Sequence, residues 1–200
     1  KSFIIKIIVL CLVTIKVSAI EKVILFGDSL MAGYGLPKEQ HLSVVLQNSL
    51  ELEGHNIKII NGSVSGSTSA GGLNIADWTL SENNIDLMIL CLGANDMLRG
   101  INPYETKNNL EEIIKIAKSK NIKIIIAGMI APTSYGFEYK KSFDKIFSDL
   151  SKKYKLQLIP FLLEGVAQKP EFNLSDGMHP NDQGTIIIGN TLKKAILKNL

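Results

Sequence analysis

The stretch Val23-Ile24-Leu25-Phe26-Gly27-Asp28-Ser29-Leu30 near the start of the chain sets the pattern that the rest of the sequence repeats. Its first four residues form a continuous apolar run that stops at a glycine, which is typical of a β-strand covered on both faces. A serine follows the glycine two residues later. In isolation, Gly-Asp-Ser after a strand indicates a plain helix-capping turn more often than a nucleophile, so Ser29 needs support from elsewhere in the chain.

Similar apolar runs recur along the chain and alternate with segments of helical periodicity. The predicted strands are Val23–Gly27, Ile57–Ile60, Leu87–Leu92, Ile122–Ala127 and Leu156–Phe161. The predicted helices are His41–Glu53, one over about Gly72–Leu80 with Trp78 on its apolar side, one opened by Pro103, one marked by Phe143, Ile146, Phe147 and Leu150, and one capped by Asn181 or Asp182. Strands that alternate with helices about every 30 residues indicate βαβ units, and right-handed crossovers then give a parallel sheet with helices on both faces.

Residues 1–19 have the features of a secretory signal peptide. Lys1 and Lys6 precede an apolar stretch that is too short to span a bilayer. Val17-Ser18-Ala19 then places small residues where a signal peptidase cuts. We therefore expect cleavage before Ile20.

The remaining residues, 20–200, are expected to form one domain that is periplasmic or secreted and has no stable membrane span after cleavage. A retained membrane anchor stays an alternative, because Lys16 lies close to the expected cleavage point. Cys11 suggests lipoprotein processing, but the leucine before it is larger than such processing prefers.

Charge and cysteine content exclude several kinds of partner and site. The whole chain holds 22 Lys and Arg against 19 Asp and Glu, a formal net charge of +3. The three excess charges are the lysines of residues 1–19, so the expected domain is formally neutral and gives no electrostatic support for binding nucleic acid. Cys91 lies in an apolar run, which predicts a small buried residue with no disulfide and no zinc cluster.

Small and polar residues follow the first three predicted strands. Ser29 follows the first, Gly66 follows the second and Asn95 follows the third. Because ligands bind beyond the carboxyl ends of parallel strands, we expect these residues to share one edge of the sheet. The backbone N–H groups of Ser29 and Gly66 and the side-chain amide of Asn95 could then stabilise an oxyanion, although each alone fits a simple loop residue as well.

A suitable base for Ser29 lies near the other end of the chain. Of the three histidines, His41 and His55 are expected at the solvated surface, whereas His179 lies in the loop Asp176-Gly177-Met178-His179-Pro180. A serine hydroxyl needs a base to remove its proton, and an acid three residues before a histidine can orient its ring. The alternative is that Asp176 merely caps a turn.

Asp28 and Asp96 invite a metal or paired-carboxylate interpretation, but we expect both to bind nearby loop backbone.

Taken together, these segments resemble the four sequence blocks of the SGNH, or GDSL, hydrolase family. The blocks are Gly27-Asp28-Ser29-Leu30, Asn61-Gly62-Ser63-Val64-Ser65-Gly66, Gly93-Ala94-Asn95-Asp96 and Asp176-Gly177-Met178-His179-Pro180, in the family's order. Within the family, the chain is most similar to exported bacterial arylesterases, thioesterases and lysophospholipases. The resemblance implies a flavodoxin-like three-layer α/β/α fold with a five-stranded parallel sheet.

The resemblance also implies a role for each site residue. Ser29 would be the nucleophile, His179 the base and Asp176 the residue that orients the base, while Ser29, Gly66 and Asn95 would form the oxyanion hole. The substrate would be a small acyl ester or thioester, and neither a metal nor an organic cofactor is expected. The enzyme is expected to be a monomer.

Acyl-chain binding is predicted for a set of apolar residues in the loops after the first and fourth strands. They are Met31, Tyr34, Leu36, Ile130, Pro132, Tyr135 and Phe137, each of which could equally be ordinary loop packing. A carbohydrate O-acetyl esterase is an alternative, disfavoured because only 6% of residues are aromatic. A non-catalytic binding module is less consistent with the intact serine, histidine and aspartate. A flavodoxin-like cofactor or phosphate protein would be expected to carry a Gly-x-Gly-x-x-Gly or Walker motif.

Overall fold

The computed structural model describes residues 20–81 and 84–200, so the expected signal segment lies outside the described residues. Five strands form one sheet: β1 (Lys22–Gly27), β2 (Lys58–Asn61), β3 (Leu87–Cys91), β4 (Lys123–Ala127) and β5 (Gln157–Ile159). They lie in the order β2-β1-β3-β4-β5, and every neighbouring pair is parallel. The carboxyl ends of all five strands therefore meet at one edge.

Helices connect and cover the strands. They are α1 (Ser29–Ala32), α2 (Leu42–Leu52), α3 (Ser69–Thr79), α4 (Ala94–Leu98), α5 (Pro103–Ser119), α6 (Phe137–Tyr154) and α7 (Asp182–Leu197). The crossover from β1 to β2 runs in the opposite direction to the later crossovers, so right-handed connections place α2 on one face and α3, α5 and α6 on the other. The contacts between helices agree with this assignment to two faces, because α2 contacts α7, whereas α5 contacts both α3 and α6. The expected three-layer α/β/α fold is confirmed.

The apolar pattern explains which strands are central. All residues of β3, and all of β1 after Lys22, are buried, as expected of strands covered on both faces. The edge strand β2 instead exposes its first and last residues. The strand β5 is shorter than predicted, because Pro160 has no N–H group with which to continue the pairing.

Local sequence signals place the helix ends. Pro103 is the first residue of α5, as predicted, and the side chain of Asn102 accepts a hydrogen bond from the N–H of Tyr104 at 2.9 Å. The buried face of α5 carries the predicted apolar residues Leu110, Ile113, Ile114 and Ala117. Of the two predicted caps of the last helix, Asn181 is the one that accepts from the N–H of Gly184. Within the described ranges, no helix has both the length and the apolar character needed to cross a membrane.

The prediction for Trp78 was wrong, since this side chain is 82% exposed. The helix α3 buries Ser69, Gly72 and Ala76, which are spaced by three and four residues. A residue two positions after Ala76 lies about 200° further around the helix, so it faces away from the core. Cys91, in contrast, is fully buried as predicted, and burial raises the pKa of its thiol.

Candidate active site

Ser29 lies where β1 turns into the short helix α1. A Cβ atom at Gly27 would lie 2.7 Å from the carbonyl oxygen of Cys91 and 2.7 Å from Cγ of Met31, so this turn requires glycine. The carboxylate of Asp28 accepts a hydrogen bond from the N–H of Leu30 at 3.1 Å and caps α1. The turn thereby presents Ser29 at the carboxyl edge of the sheet.

The sequence-predicted serine, histidine and aspartate meet at this edge. His179 Nε2 lies 2.9 Å from Ser29 Oγ, across a separation of 150 residues. His179 Nδ1 lies 2.7 Å from Asp176 Oδ2, and Asp176 Oδ1 accepts hydrogen bonds from the N–H groups of Met178 and His179 at 2.9 and 3.0 Å. An acceptor on Nδ1 fixes a proton there and leaves Nε2 able to accept the proton of the serine hydroxyl.

These hydrogen bonds also set the charge of Asp176. Burial alone would raise the pKa of Asp176, but the N–H groups of His179 and Met178, together with the His179 ring, outweigh it and hold the pKa at about 2. The carboxylate is therefore ionised at neutral pH and can stabilise an imidazolium. The loop itself is anchored by the N–H of Leu174, which donates to the carbonyl of His179 at 2.7 Å.

The three predicted oxyanion donors lie after β1, β2 and β3. Gly66 is exposed and has a left-handed backbone with φ of 77°, a conformation that favours glycine. Among the described residues, the N–H groups of Ser29 and Gly66 have no backbone acceptor. The amide nitrogen of Asn95 lies between two acceptors, 3.2 Å from Asp28 Oδ2 and 3.1 Å from the carbonyl of Ser67. Two acceptors on the same atom fix which way the amide faces.

Asp28 is therefore a buried carboxylate that orients Asn95. It is 1% exposed, and burial raises its pKa to about 6, against the lowering effect of the Leu30 N–H and the Asn95 amide. At neutral pH the group is ionised in a site that disfavours its charge. The expectation that Asp28 binds loop backbone is confirmed by the Leu30 contact, and the Asn95 contact adds a second function that the sequence did not indicate.

The pKa of Asp28 gives a prediction for stability. Because the folded-state pKa lies above the ordinary value of 3.8, the stability contributed by Asp28 is fully present below pH 3.8 and is lost as the pH rises through about 6. Asn at this position cannot ionise. We therefore expect the free energy of unfolding of Asp28→Asn, relative to that of the wild type, to rise by about 2 kcal/mol between pH 4.5 and pH 8. Urea unfolding at the two pH values measures this gain, and a stability difference that does not change with pH would contradict it.

The predicted acyl-binding residues have different surroundings. Tyr34 is half exposed and its ring centroid lies 4.5 Å from that of His179 at an interplanar angle of 39°, so it belongs to the site. Ile130 and Pro132 are exposed in the loop after β4, Phe137 is exposed at the start of α6, and Leu36 and Tyr135 are partly buried. The prediction for Met31 was wrong, because this side chain is fully buried beneath Gly27 and cannot line a solvent-facing rim.

One other expectation needs correction, and one contact was not anticipated. His41 is half-buried rather than solvated, with its Nε2 3.1 Å from the carbonyl of Leu36. Sequence reasoning missed Arg99, whose Nη2 donates to the carbonyl of Gly66 at 3.0 Å. The available signal was that Arg99 is the only arginine among the 22 Lys and Arg residues of the chain.

Comparisons with known proteins point to one family. Residues 25–185 match the model of the GDSL-like Lipase/Acylhydrolase family. The chain is 35% identical over 91% of its length to an arylesterase of Vibrio mimicus, of which it covers 91%. It is 30% identical over 94% of its length to the thioesterase 1/protease 1/lysophospholipase L1 of Escherichia coli K12, of which it covers 88%.

A solved structure gives the same result. The crystal structure of TesA superposes with a TM-score of 0.85 at 31% sequence identity, covering 90% of this chain and 100% of that one. The similarity therefore extends over the whole described domain rather than over the motifs alone.

Proposed function

The chain belongs to the GDSL-like lipase/acylhydrolase family and is a hydrolase of carboxylic esters, and from this premise we propose that Ser29, His179 and Asp176 carry its chemistry. The observation that supports these roles most directly is the position of the His179 ring, 2.9 Å from the serine hydroxyl and 2.7 Å from the aspartate. Such a relay allows a neutral serine to become a nucleophile at neutral pH.

The first step acylates the enzyme. Ser29 Oγ attacks the acyl carbon while His179 Nε2 takes the hydroxyl proton, and the electron pair of the carbonyl moves onto its oxygen. When this pair returns, the bond to the leaving group breaks, and the alcohol or thiol departs with the proton from His179. The ionised Asp176 stabilises the imidazolium that exists between these two events.

The second step releases the acid. Water loses a proton to His179 as it attacks the acyl carbon. The second tetrahedral intermediate then collapses to a carboxylic acid, and the departing Ser29 Oγ takes the proton back from His179. Both intermediates carry a negative oxygen, for which the Ser29 N–H, the Gly66 N–H and the Asn95 amide are the proposed donors. Asn95 can take this role only by sharing or exchanging one of its two present contacts, to Asp28 and Ser67.

The proposed substrates are acyl esters, with thioesters and lysophospholipids as finer possibilities within the same chemistry. Two relatives are named for such activities, an arylesterase and a thioesterase/lysophospholipase. Two exposed apolar side chains between β4 and the start of α6, Ile130 and Phe137, support an acyl chain as the group that is recognised. Apolar contacts of this kind would contribute affinity in proportion to the chain length that they cover.

The proposal extends to the setting in which the enzyme acts. We propose that the enzyme is a monomer. Residues 1–19 are proposed to be a signal peptide, so that the mature enzyme begins at Ile20 and works in the periplasm or outside the cell. The apolar stretch after Lys6 and the small residues before Ile20 support this.

A substrate panel combined with covalent labelling tests the proposal. The panel varies acyl length from p-nitrophenyl acetate to palmitate and compares an acyl-CoA with lysophosphatidylcholine. A fluorophosphonate then labels the nucleophile, and peptide mass spectrometry locates the adduct. We expect ester hydrolysis and an adduct on Ser29; no hydrolysis of any ester, or an adduct on another residue, would refute the assignment.

A further inference from the structure

Asp96 is a buried carboxylate that the mechanism does not use. It is fully buried, and no salt bridge reaches it from the residues that the structure describes. Its charge is instead met by hydrogen bonds. The N–H of Ser69 donates to Oδ2 at 2.7 Å, and Oδ1 accepts from the hydroxyl of Ser69 and from the hydroxyl of Thr106 at 3.1 Å.

These bonds connect three helices rather than closing a local turn. Asp96 lies in α4, Ser69 is the first residue of α3, and Thr106 lies in α5. Asn109 of α5 also donates to the hydroxyl of Ser69 at 3.0 Å, so the Ser69 side chain is held from both sides. The start of α3 is a favourable place for negative charge, because its backbone N–H groups point toward the carboxylate.

Two of the connected helices, α4 and α3, contain or directly follow the two proposed oxyanion donors outside the nucleophile turn. Asn95 precedes Asp96, and Gly66 lies three residues before Ser69. Two further hydrogen bonds run between the same segments, from Asn95 to the carbonyl of Ser67 at 3.1 Å and from Arg99 to the carbonyl of Gly66 at 3.0 Å. Of the three links, only the one through Asp96 is fully buried.

We propose that Asp96 is a positioning residue for the oxyanion hole, which fixes the segment of Gly66 against the segment of Asn95 before any substrate binds. Donors that are already aimed at the developing charge need no reorganisation during the reaction, and errors of about 1 Å in placement cost up to about 100-fold in rate. The inference rests on the proposed roles of Gly66 and Asn95 as oxyanion donors.

Asp96→Asn is the informative substitution. An amide nitrogen in place of one carboxylate oxygen would face the N–H or the hydroxyl of Ser69, so at least one donor would lose its acceptor. The volume of the side chain hardly changes. We expect kcat for p-nitrophenyl butyrate to fall about 10- to 100-fold while KM changes less than about threefold, because the ester binds before the oxyanion forms.

The chain offers a matched control in Asp86. This carboxylate is likewise bound by backbone N–H donors, those of Glu21 and Lys22 at 2.9 Å each, but it lies at the amino ends of β1 and β3, away from the site. We expect Asp86→Asn to leave kcat within about twofold of the wild type, whatever its effect on thermal stability.

Two further readouts separate positioning from general destabilisation. Butylboronic acid forms a tetrahedral adduct on a serine. Its affinity for Asp96→Asn should be lower than its affinity for the wild type by a factor similar to the loss in kcat. In an Asn95→Ala background, Asp96→Asn should cost less than it does alone, because one of the two donors that it positions is already gone.

Three results would overturn the proposal: equal kcat for Asp96→Asn and the wild type, an effect on KM alone, or equal losses for Asp96→Asn and Asp86→Asn. If Asp96→Asn does not fold, Ser69→Ala removes the hydroxyl bonds and keeps the N–H bond, and it should lower kcat about 3- to 10-fold with KM unchanged. An unchanged kcat in that variant would also refute positioning. Failure of the proposed function would be seen separately, as a wild-type enzyme that neither hydrolyses esters nor carries an adduct on Ser29.

Discussion

Replacing Ser29 with alanine should lower kcat for p-nitrophenyl butyrate by about 10⁴-fold or more. The acyl-enzyme cannot form without Oγ, and the residual rate then comes only from the oxyanion donors and from substrate binding. The side chain is partly exposed and its principal contact is with His179, so the variant should fold normally. Initial rates of p-nitrophenolate release, corrected for the uncatalysed reaction, measure the loss.

Two controls make this result specific. Ser175→Ala removes another serine hydroxyl, at an exposed position next to Asp176, and should retain full activity. The double variant Ser29→Ala/His179→Ala should be no slower than Ser29→Ala, since the two residues act as one unit. If Ser29→Ala alone kept more than about one percent of the wild-type activity, Ser29 would not be the nucleophile.

Replacing Asn95 with alanine should lower kcat by about 10²- to 10³-fold with little change in KM, the range found when one oxyanion donor is removed. The same change leaves Asp28 Oδ2 without its donor in a buried position. Stability should therefore fall as well, by about 1–3 kcal/mol at pH 8, where the carboxylate is ionised.

Michaelis–Menten kinetics and urea unfolding of the same preparation separate the two effects of Asn95→Ala. Asn74→Ala, at an exposed position on α3, is the matched control and should change neither quantity. If Asn95→Ala raised KM and left kcat unchanged, the amide would bind the substrate rather than the oxyanion.

The sequence predicted those features of the fold that depend on pattern alone. An apolar run such as Leu87–Cys91 indicates a strand buried on both faces. A helix with one buried face is indicated by the spacing of Leu110, Ile113, Ile114 and Ala117. The site was predictable for a similar reason, because topology brings every strand end to one edge. Ser29, Gly66 and Asn95 could therefore be placed together. His179, 150 residues from Ser29, was instead chosen because Asp176 lies three residues before it and the other histidines were expected at the surface.

The direction of individual side chains could not be predicted. The helix α1 has four residues, which is too short to show periodicity, and so nothing in the sequence indicated that Met31 is buried whereas Tyr34 lies against His179. Trp78 was placed on the wrong face because the first residues of α3 are small or polar. They carry no apolar periodicity from which the start of the helix could be determined. The contact of Arg99 with Gly66 depends on the relative position of two loops, which local sequence does not determine.

The packing of α7 on α2 has a consequence for how activity is lost on heating. The helix α2 follows the turn of Ser29, and α7 follows the loop of His179, so the packing of these two helices also holds Ser29 against His179. A local opening that releases only the last helix would separate Ser29 from His179 and leave the strands β1, β3 and β4 paired. The temperature at which hydrolysis stops should then be set by the docking of this terminal helix, below the temperature at which the sheet itself melts.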